Sequence, residues 1–258
     1  MSIQFTFLGT CAADFSPRLK TDCKDRFDFD ARRASCAIFN EKYMIDCGPH
    51  ALESIRIAGV DMTKITDIFM THLHSDHFNP DNVQTIASAK AESLRLWVSE
   101  GAIVPPLENV DVRYMPKRQP LSVGSGLTVT GLEANHDANV YPQFLLFELD
   151  GKKLLYATDG AWFVHEAYKY LRNAALDVYI ADATCGDYVG DFRMAEHNSI
   201  PMIRMMLPSL RTFGIVNDKT QIYLTHIAPS LHKPHAETVE IAAADGMKVA
   251  YDGLRFEV

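Results

Sequence analysis

Four side chains able to bind a divalent metal fall within the run His72-Leu73-His74-Ser75-Asp76-His77. His72 and His74 are two apart, so in extended backbone they project from the same side and can grip one ion. Asp76 and His77 follow in a turn and point elsewhere, which suits a second ion nearby. Neutral imidazole and carboxylate are ligands for zinc, manganese or iron. Ligands packed this densely predict a metal-dependent hydrolase rather than a polar surface loop.

The rest of the chain repeats one pattern, a strand that runs into a ligand. Leu127 to Ala134 leads to His136, Lys153 to Ala157 leads to Asp159, and Gln221 to Leu224 leads to His226. A lone histidine after a strand is ordinarily a surface or core residue. Taken with the cluster, these three complete the ligands for two ions.

The elements that must hold these residues are mostly short strands. Ile3 to Gly9 alternates and ends in glycine, and Cys36–Phe39 and Lys42–Asp46 flank a tight turn at Asn40-Glu41. Pro49 opens a helix to Ala58, and Thr66–Thr71 is a strand that feeds the histidine run. A helix is predicted from Pro80 to Ser93, capped by Asn79. Strands follow at Leu94–Val98, Val110–Met115, Leu127–Ala134, Phe144–Leu149 and Lys153–Ala157, the last two joined by Asp150-Gly151. Trp162–Asn173 reads as a helix, Asp177–Ala181 as a strand and Ser199–Arg211 as a helix. A strand Gln221–Thr225, a helix His235–Ala244 and two short strands, Lys248–Tyr251 and Leu254–Val258, close the chain. Hairpins with interspersed helices favour two mixed sheets face to face with helices outside, in a single domain over 1–258. The segment from Ala12 to Arg33 is irregular and reads as either a lid or a disordered loop.

With 47% apolar and 22% charged residues the chain can bury a core without disulfides. Five cysteines outside any CxxC pair, with no leader-like N-terminus, predict free thiols in the cytoplasm. No apolar run is long enough for a membrane span. A net charge of −8 argues against a nucleic-acid partner, while a metal site supplies local positive charge for a small anion.

The His72–His77 run, with Ile45-Asp46-Cys47-Gly48 upstream, Thr158-Asp159-Gly160 and Leu224-Thr225-His226, resembles the metallo-β-lactamase-fold hydrolase superfamily over essentially the whole chain. The resemblance implies a four-layer αββα sandwich with a dinuclear site at one edge. It implies that His72, His74 and His136 hold one ion, that Asp76, His77 and His226 hold the other, and that Asp159 bridges them. Asp46 would orient a ligand imidazole from behind. The ions expected are zinc first, then manganese or iron.

Within the superfamily the chain resembles the phosphodiesterase branch, which includes tRNase Z and the cyclic-phosphate phosphodiesterase of the carbon–phosphorus lyase pathway. Arg32-Arg33-Ala34-Ser35-Cys36, Asp182-Ala183-Thr184 with His197-Asn198-Ser199, and Ala250-Tyr251-Asp252-Gly253-Leu254 carry that likeness. It departs in two places. Only Cys11 and Cys23 stand where that cyclic phosphodiesterase clusters cysteines, so no structural zinc is expected, and no tRNA-gripping insertion is visible. The reaction implied is attack on a small phosphate ester, cyclic esters included, by hydroxide held between two metals, with Asp76 orienting the nucleophile. His197 would be the general acid, held by Asp182. Arg32 and Arg33 read equally as phosphate contacts or as a solvated charge run paired with Asp28 and Asp30. His232 and His235 read as surface residues. A homodimer is implied by the resemblance alone. The rival readings are a lactone, ester or thioester hydrolase on the same scaffold, and a metal-binding sensor or docking protein with a vestigial site.

Overall fold

The computed structural model describes residues 2–258. Its first sheet contains β1 (Gln4–Gly9), β2 (Cys36–Phe39), β3 (Tyr43–Ile45), β4 (Asp67–Phe69), β5 (Leu94–Ser99) and β6 (Val110–Met115). The second contains β7 (Leu121–Gly124), β8 (Leu127–Glu133), β9 (Gln143–Leu149), β10 (Lys152–Ala157), β11 (Val178–Asp182), β12 (Gln221–Thr225) and β13 (Lys248–Val249). The last strand, β14 (Arg255–Glu257), returns to the first sheet beside β1. The spatial orders are β14-β1-β2-β3-β4-β5-β6 and β13-β12-β11-β10-β9-β8-β7.

Each sheet is antiparallel in one half and parallel in the other. In the first, β3, β4, β5 and β6 run parallel; in the second, β10, β11, β12 and β13 do. The carboxyl ends of parallel strands open side by side, which is where α/β sheets place their sites. Asp46, the histidine run, Asp159, Asp182 and His226 all sit at or just past such ends.

Aromatic residues fill the space between the sheets, among them Phe5, Phe39 and Phe69 from one and Phe147, Tyr156 and Tyr223 from the other. Helices α1 (Ala51–Ala58) and α2 (Pro80–Ser88) cover the outside of the first sheet, where Ile55, Val83 and Ile86 meet Ile38, Ile68 and Leu96. On the second sheet, α3 (His165–Leu171), α4 (Ile200–Thr212) and α5 (His235–Ala243) bury Leu171, Ile203, Leu207 and Ala242 against Leu155, Tyr179 and Leu224. The result is the αββα sandwich expected from the sequence.

Two helix bounds change, one strand is added and one open reading closes. Helix α2 stops at Ser88, because the Asn109 side-chain amide takes the carbonyls of Ala87 and Lys90 that a longer helix would bond internally. Helix α3 starts only at His165, since Trp162 adopts φ 57° and gives its N–H to Asn198 Oδ1. Strand β7 is short, glycine-ended and on a sheet edge, so its pattern was too weak to read. The 12–33 segment is ordered: Leu19, Cys23 and Ala31 form a small core of their own. Asn79 caps α2 as expected, accepting from the N–H groups of Asp81 and Asn82. No helix among the described residues is long and apolar enough to cross a membrane.

Gln143 fastens the sheets together next to the histidine run. Its backbone N–H donates to Thr71 O at 2.9 Å and its side chain to Met70 O at 2.9 Å. Lys117 braces this joint from below, donating to Pro142 O at 2.8 Å. Burial, only partly opposed by Glu133, pushes the Lys117 ammonium down to about 7 from the ordinary 10.5. The unfolded chain therefore holds a proton that the folded one has lost between those values, and stability is expected to rise with pH across that window. Lys117→Met should flatten that rise in urea midpoints, and an unchanged slope would rule the account out.

Candidate metal centre and active site

The ligands converge because the chain makes abrupt exits from its strands. Asp46, Asp159 and His226, which follow β3, β10 and β12, have φ of 58°, 53° and 57°. Left-handed backbone at a non-glycine residue costs about 1–3 kcal/mol and persists only where the surroundings impose it. The turn after β3 also presses on the histidine run. A Cβ on Gly48 would lie 1.9 Å from Asp76 O, so only glycine lets the two loops touch. Cys47 N–H then donates to His77 O at 2.8 Å.

Two groups of donor atoms face each other across Asp159. In the first, His74 Nδ1 lies 2.9 Å from His72 Nε2 and 3.1 Å from His136 Nε2. Asp159 Oδ1 completes it, 4.0 Å from His72 Nε2 and 3.9 Å from His136 Nε2. In the second, His77 Nε2 lies 3.1 Å from His226 Nε2 and 3.5 Å from Asp76 Oδ2. Asp159 Oδ2 is 3.0 Å from His77 Nε2 and 3.2 Å from His226 Nε2. One carboxylate thus serves both groups, an oxygen to each. All seven residues named for metal binding from the sequence meet here, in two trios sharing Asp159.

The far sides of the imidazoles are held as metal-ligand imidazoles usually are. Asp46 Oδ2 is 2.8 Å from His77 Nδ1, and the Thr71 hydroxyl, bonded to Asp46, is 3.1 Å from His72 Nδ1. The Thr184 hydroxyl is 2.7 Å from His226 Nδ1. Burial alone would depress the His77 imidazole, but Asp159, Asp46 and Asp76 outweigh it and hold it well above its ordinary range. His226 follows the same logic, burial being overcome chiefly by Asp159, and is pushed up to about 10. Burial holds His72 well below its ordinary value and lowers His136 too. The carboxylates in this pocket demand positive charge, while the imidazole nitrogens crowd lone pairs together. Divalent cations satisfy both, and Asp159 Oδ2 is a buried atom with no hydrogen-bond partner. The residues fit a metal centre.

Asp182 ties the rest together. Its Oδ2 accepts from Asp159 N–H at 3.0 Å and lies 3.0 Å from His197 Nδ1, and its Oδ1 accepts from Asn198 N–H at 2.9 Å. Burial would raise this carboxyl, but His197 and His226 hold it well below the usual range. Burial likewise opposes protonation of His197, and Asp182 more than reverses it, so the imidazole sits above its ordinary value. A cavity of about 460 Å³ opens over both trios and over His197.

Arg32 and Arg33 do not reach it. The Arg33 side chain is fully buried, donating to the carbonyls of Cys23, Lys24 and Arg26 and to Glu53 at 2.6–3.3 Å. Arg32 donates to Thr10 Oγ1 at 2.7 Å, Ala250 O at 2.6 Å and His235 Nδ1 at 2.8 Å. The terminal nitrogens that bond here go to protein acceptors, which tie the 12–33 loop to the rest of the chain rather than face the cavity. Asp28, assigned to them as a solvated partner, pairs with Arg18 and Arg26. His232 is half-buried rather than a free surface residue, with Nε2 on Ala183 O at 2.6 Å. Thr184, Arg193 and Glu196 line the cavity without having been assigned roles. Thr184 lay inside a motif already noted, but Arg193 and Glu196 sit in an irregular stretch with no periodicity to flag them.

The αββα sandwich thus sets two groups of metal-compatible ligands side by side at one edge. A family model for the beta-lactamase superfamily domain matches residues 41–227, and the chain belongs to that family, with the metallo-β-lactamase fold. Among curated proteins it is 36% identical over 81 residues to human zinc phosphodiesterase ELAC protein 1, covering 30% of this chain and 19% of that one. It is 33% identical over 75 residues to ribonuclease Z of Methanothermobacter thermautotrophicus, covering 29% and 21%. The matches therefore span about a fifth of those relatives. Among solved structures it superposes on the metallo-β-lactamase-fold protein YhfI of Bacillus subtilis with TM-score 0.76 at 15% identity, covering 100% of both chains. A diphosphatase of the PhnP family gives 0.76 at 21%, covering 100% and 98%. The short form of human tRNase Z gives 0.66 at 19%, covering 98% of both.

Proposed function

We propose that this protein is a dinuclear, zinc-dependent phosphodiesterase of the cytoplasm acting on a small phosphate ester, with a cyclic diester as the first substrate to test. The observation that carries the reading is the His197–Asp182 pair beside the ligand trios. Acyl substrates with good leaving groups need no strong general acid, whereas an alkoxide leaving a phosphodiester does. The names of the zinc phosphodiesterase and diphosphatase relatives point the same way, and five buried, unpaired cysteines accord with a reducing compartment.

Metal ions bound by the two trios would supply hydroxide at neutral pH and neutralise phosphoryl oxygens. The protein's own part is positional. Asp182 fixes the His197 Nδ1–H, which turns Nε2–H toward the cavity as the proton donor for the leaving oxygen. The same carboxylate holds the Asp159 backbone, so acid and ligand keep one register. Asp76, half-buried where it lines the cavity, would orient the nucleophile. Asp14 and Glu196 at the rim add negative charge that disfavours a long nucleic acid.

The test is a panel of chromogenic phosphodiesters, cyclic nucleotides, lactones and thioesters with metal content measured on the same sample. Turnover of phosphodiesters far above that of any acyl ester, with about two zinc ions per chain, is expected. Activity on lactones or thioesters alone would overturn the reading.

A further inference from the structure

The cavity over the ligand trios is lined by carboxylates, yet the substrate proposed for it is an anion. Asp76 and Asp159 would be offset by bound metal, but Asp14 and Glu196 at the rim would not. Among the described residues, Arg193 is the one arginine or lysine lining that cavity. Its fork is held from behind by Asp191, with Nε donating to Oδ1 at 2.8 Å and Nη2 to Oδ2 at 3.1 Å. Those bonds use one edge of the guanidinium and leave Nη1 free of them. The Phe192 ring, 84% exposed, lies 5.7 Å from the guanidinium carbon and further confines it. The backbone is equally fixed: Asp191 Oδ1 accepts from Arg193 N–H at 2.9 Å, and Arg193 O accepts from His197 N–H at 2.8 Å. One short turn thus carries both a cation with a spare donor edge and the proposed general acid.

We propose that Arg193 binds the substrate phosphoryl group, its Nη1 donating to a non-bridging oxygen, and so selects anionic phosphodiesters over neutral esters. This rests on the phosphodiesterase reading and supplies that reading with a specificity residue. A guanidinium braced by a carboxylate loses little freedom on binding, which favours a fixed contact over a mobile surface charge.

The experiment compares wild type, Arg193→Met, Arg193→Lys and Asp191→Asn as zinc-loaded enzymes. The substrates are bis(para-nitrophenyl) phosphate and neutral para-nitrophenyl acetate, and inorganic phosphate binding is followed by calorimetry. Arg193→Met should lower kcat/KM for the diester and weaken phosphate binding about 10- to 150-fold, the worth of one charge-assisted hydrogen bond. Metal content and hydrolysis of the neutral ester should stay near wild type. Arg193→Lys should recover part of the loss, and Asp191→Asn, which keeps the turn-capping oxygen, should raise KM more than it lowers kcat. Diester turnover and phosphate affinity within twofold of wild type in Arg193→Met would overturn the assignment while leaving the phosphodiesterase reading intact. A wild-type enzyme that cleaves the neutral ester and no phosphate ester would remove both. Equal losses on charged and neutral substrates would show a structural role and also overturn it.

Discussion

Asp159→Ala is expected to lose most of its bound metal and to cut hydrolysis well beyond the roughly 10–100-fold that follows loss of an outer hydrogen-bond partner. The reason is that Asp159 faces both trios, Oδ2 at 3.0 Å from His77 and Oδ1 at 3.9 Å from His136. Removing it leaves imidazoles from opposite sides facing one another with no shared carboxylate. Asp159→Asn is the companion, because asparagine also tolerates the φ of 53° at this position and removes only the charge. Metal per chain by mass spectrometry of the ions, with kcat/KM on one diester, reads both. If either variant keeps two equivalents and wild-type rates, Asp159 is not the bridge.

The second large effect concerns proton delivery. His197→Ala should lower kcat about 10²–10⁴-fold on a diester with an alkyl alcohol as leaving group. The loss should shrink toward nothing on a nitrophenyl diester, whose leaving oxygen needs no proton. That contrast separates a general acid from a residue that merely packs, since a packing defect would slow both. His197 stacks at 5.4 Å on the His226 ring, so metal content must be shown unchanged in the same samples. Asp182→Asn should do more harm than His197→Ala, because Asp182 also holds the backbone N–H groups of Asp159 and Asn198. Equal slowing of both leaving groups by His197→Ala would end the assignment.

The parts legible in the sequence were those with a local signature. Period-two strands, a proline or asparagine at a helix start and a dense histidine run each report through neighbours in the chain. His136, Asp159 and His226 were legible because each follows a recognisable strand. Arg32 and Arg33 misled for a reason sequence spacing does not carry. Whether a guanidinium serves a ligand or the fold depends on acceptors such as Ala250 O and Cys23 O, supplied by distant or folded-back segments. Arg193 was hidden for the converse reason: its stretch has no period, and only the packed structure turns its side chain into the cavity. The end of α2 was likewise decided from outside, by Asn109.

His72, His74, Asp76 and His77 hang from the first sheet, whereas His136, Asp159 and His226 hang from the second. An ion held by either trio would therefore work as a rivet across the seam between two leaves, adding to the aromatic packing and the Gln143 hydrogen bonds. At free metal a thousandfold above its dissociation constant, such a rivet contributes about 4 kcal/mol against opening. Metal starvation would then do more than silence the enzyme. It would lower the cost of parting the leaves at the rim, making metal supply a determinant of how long each copy survives.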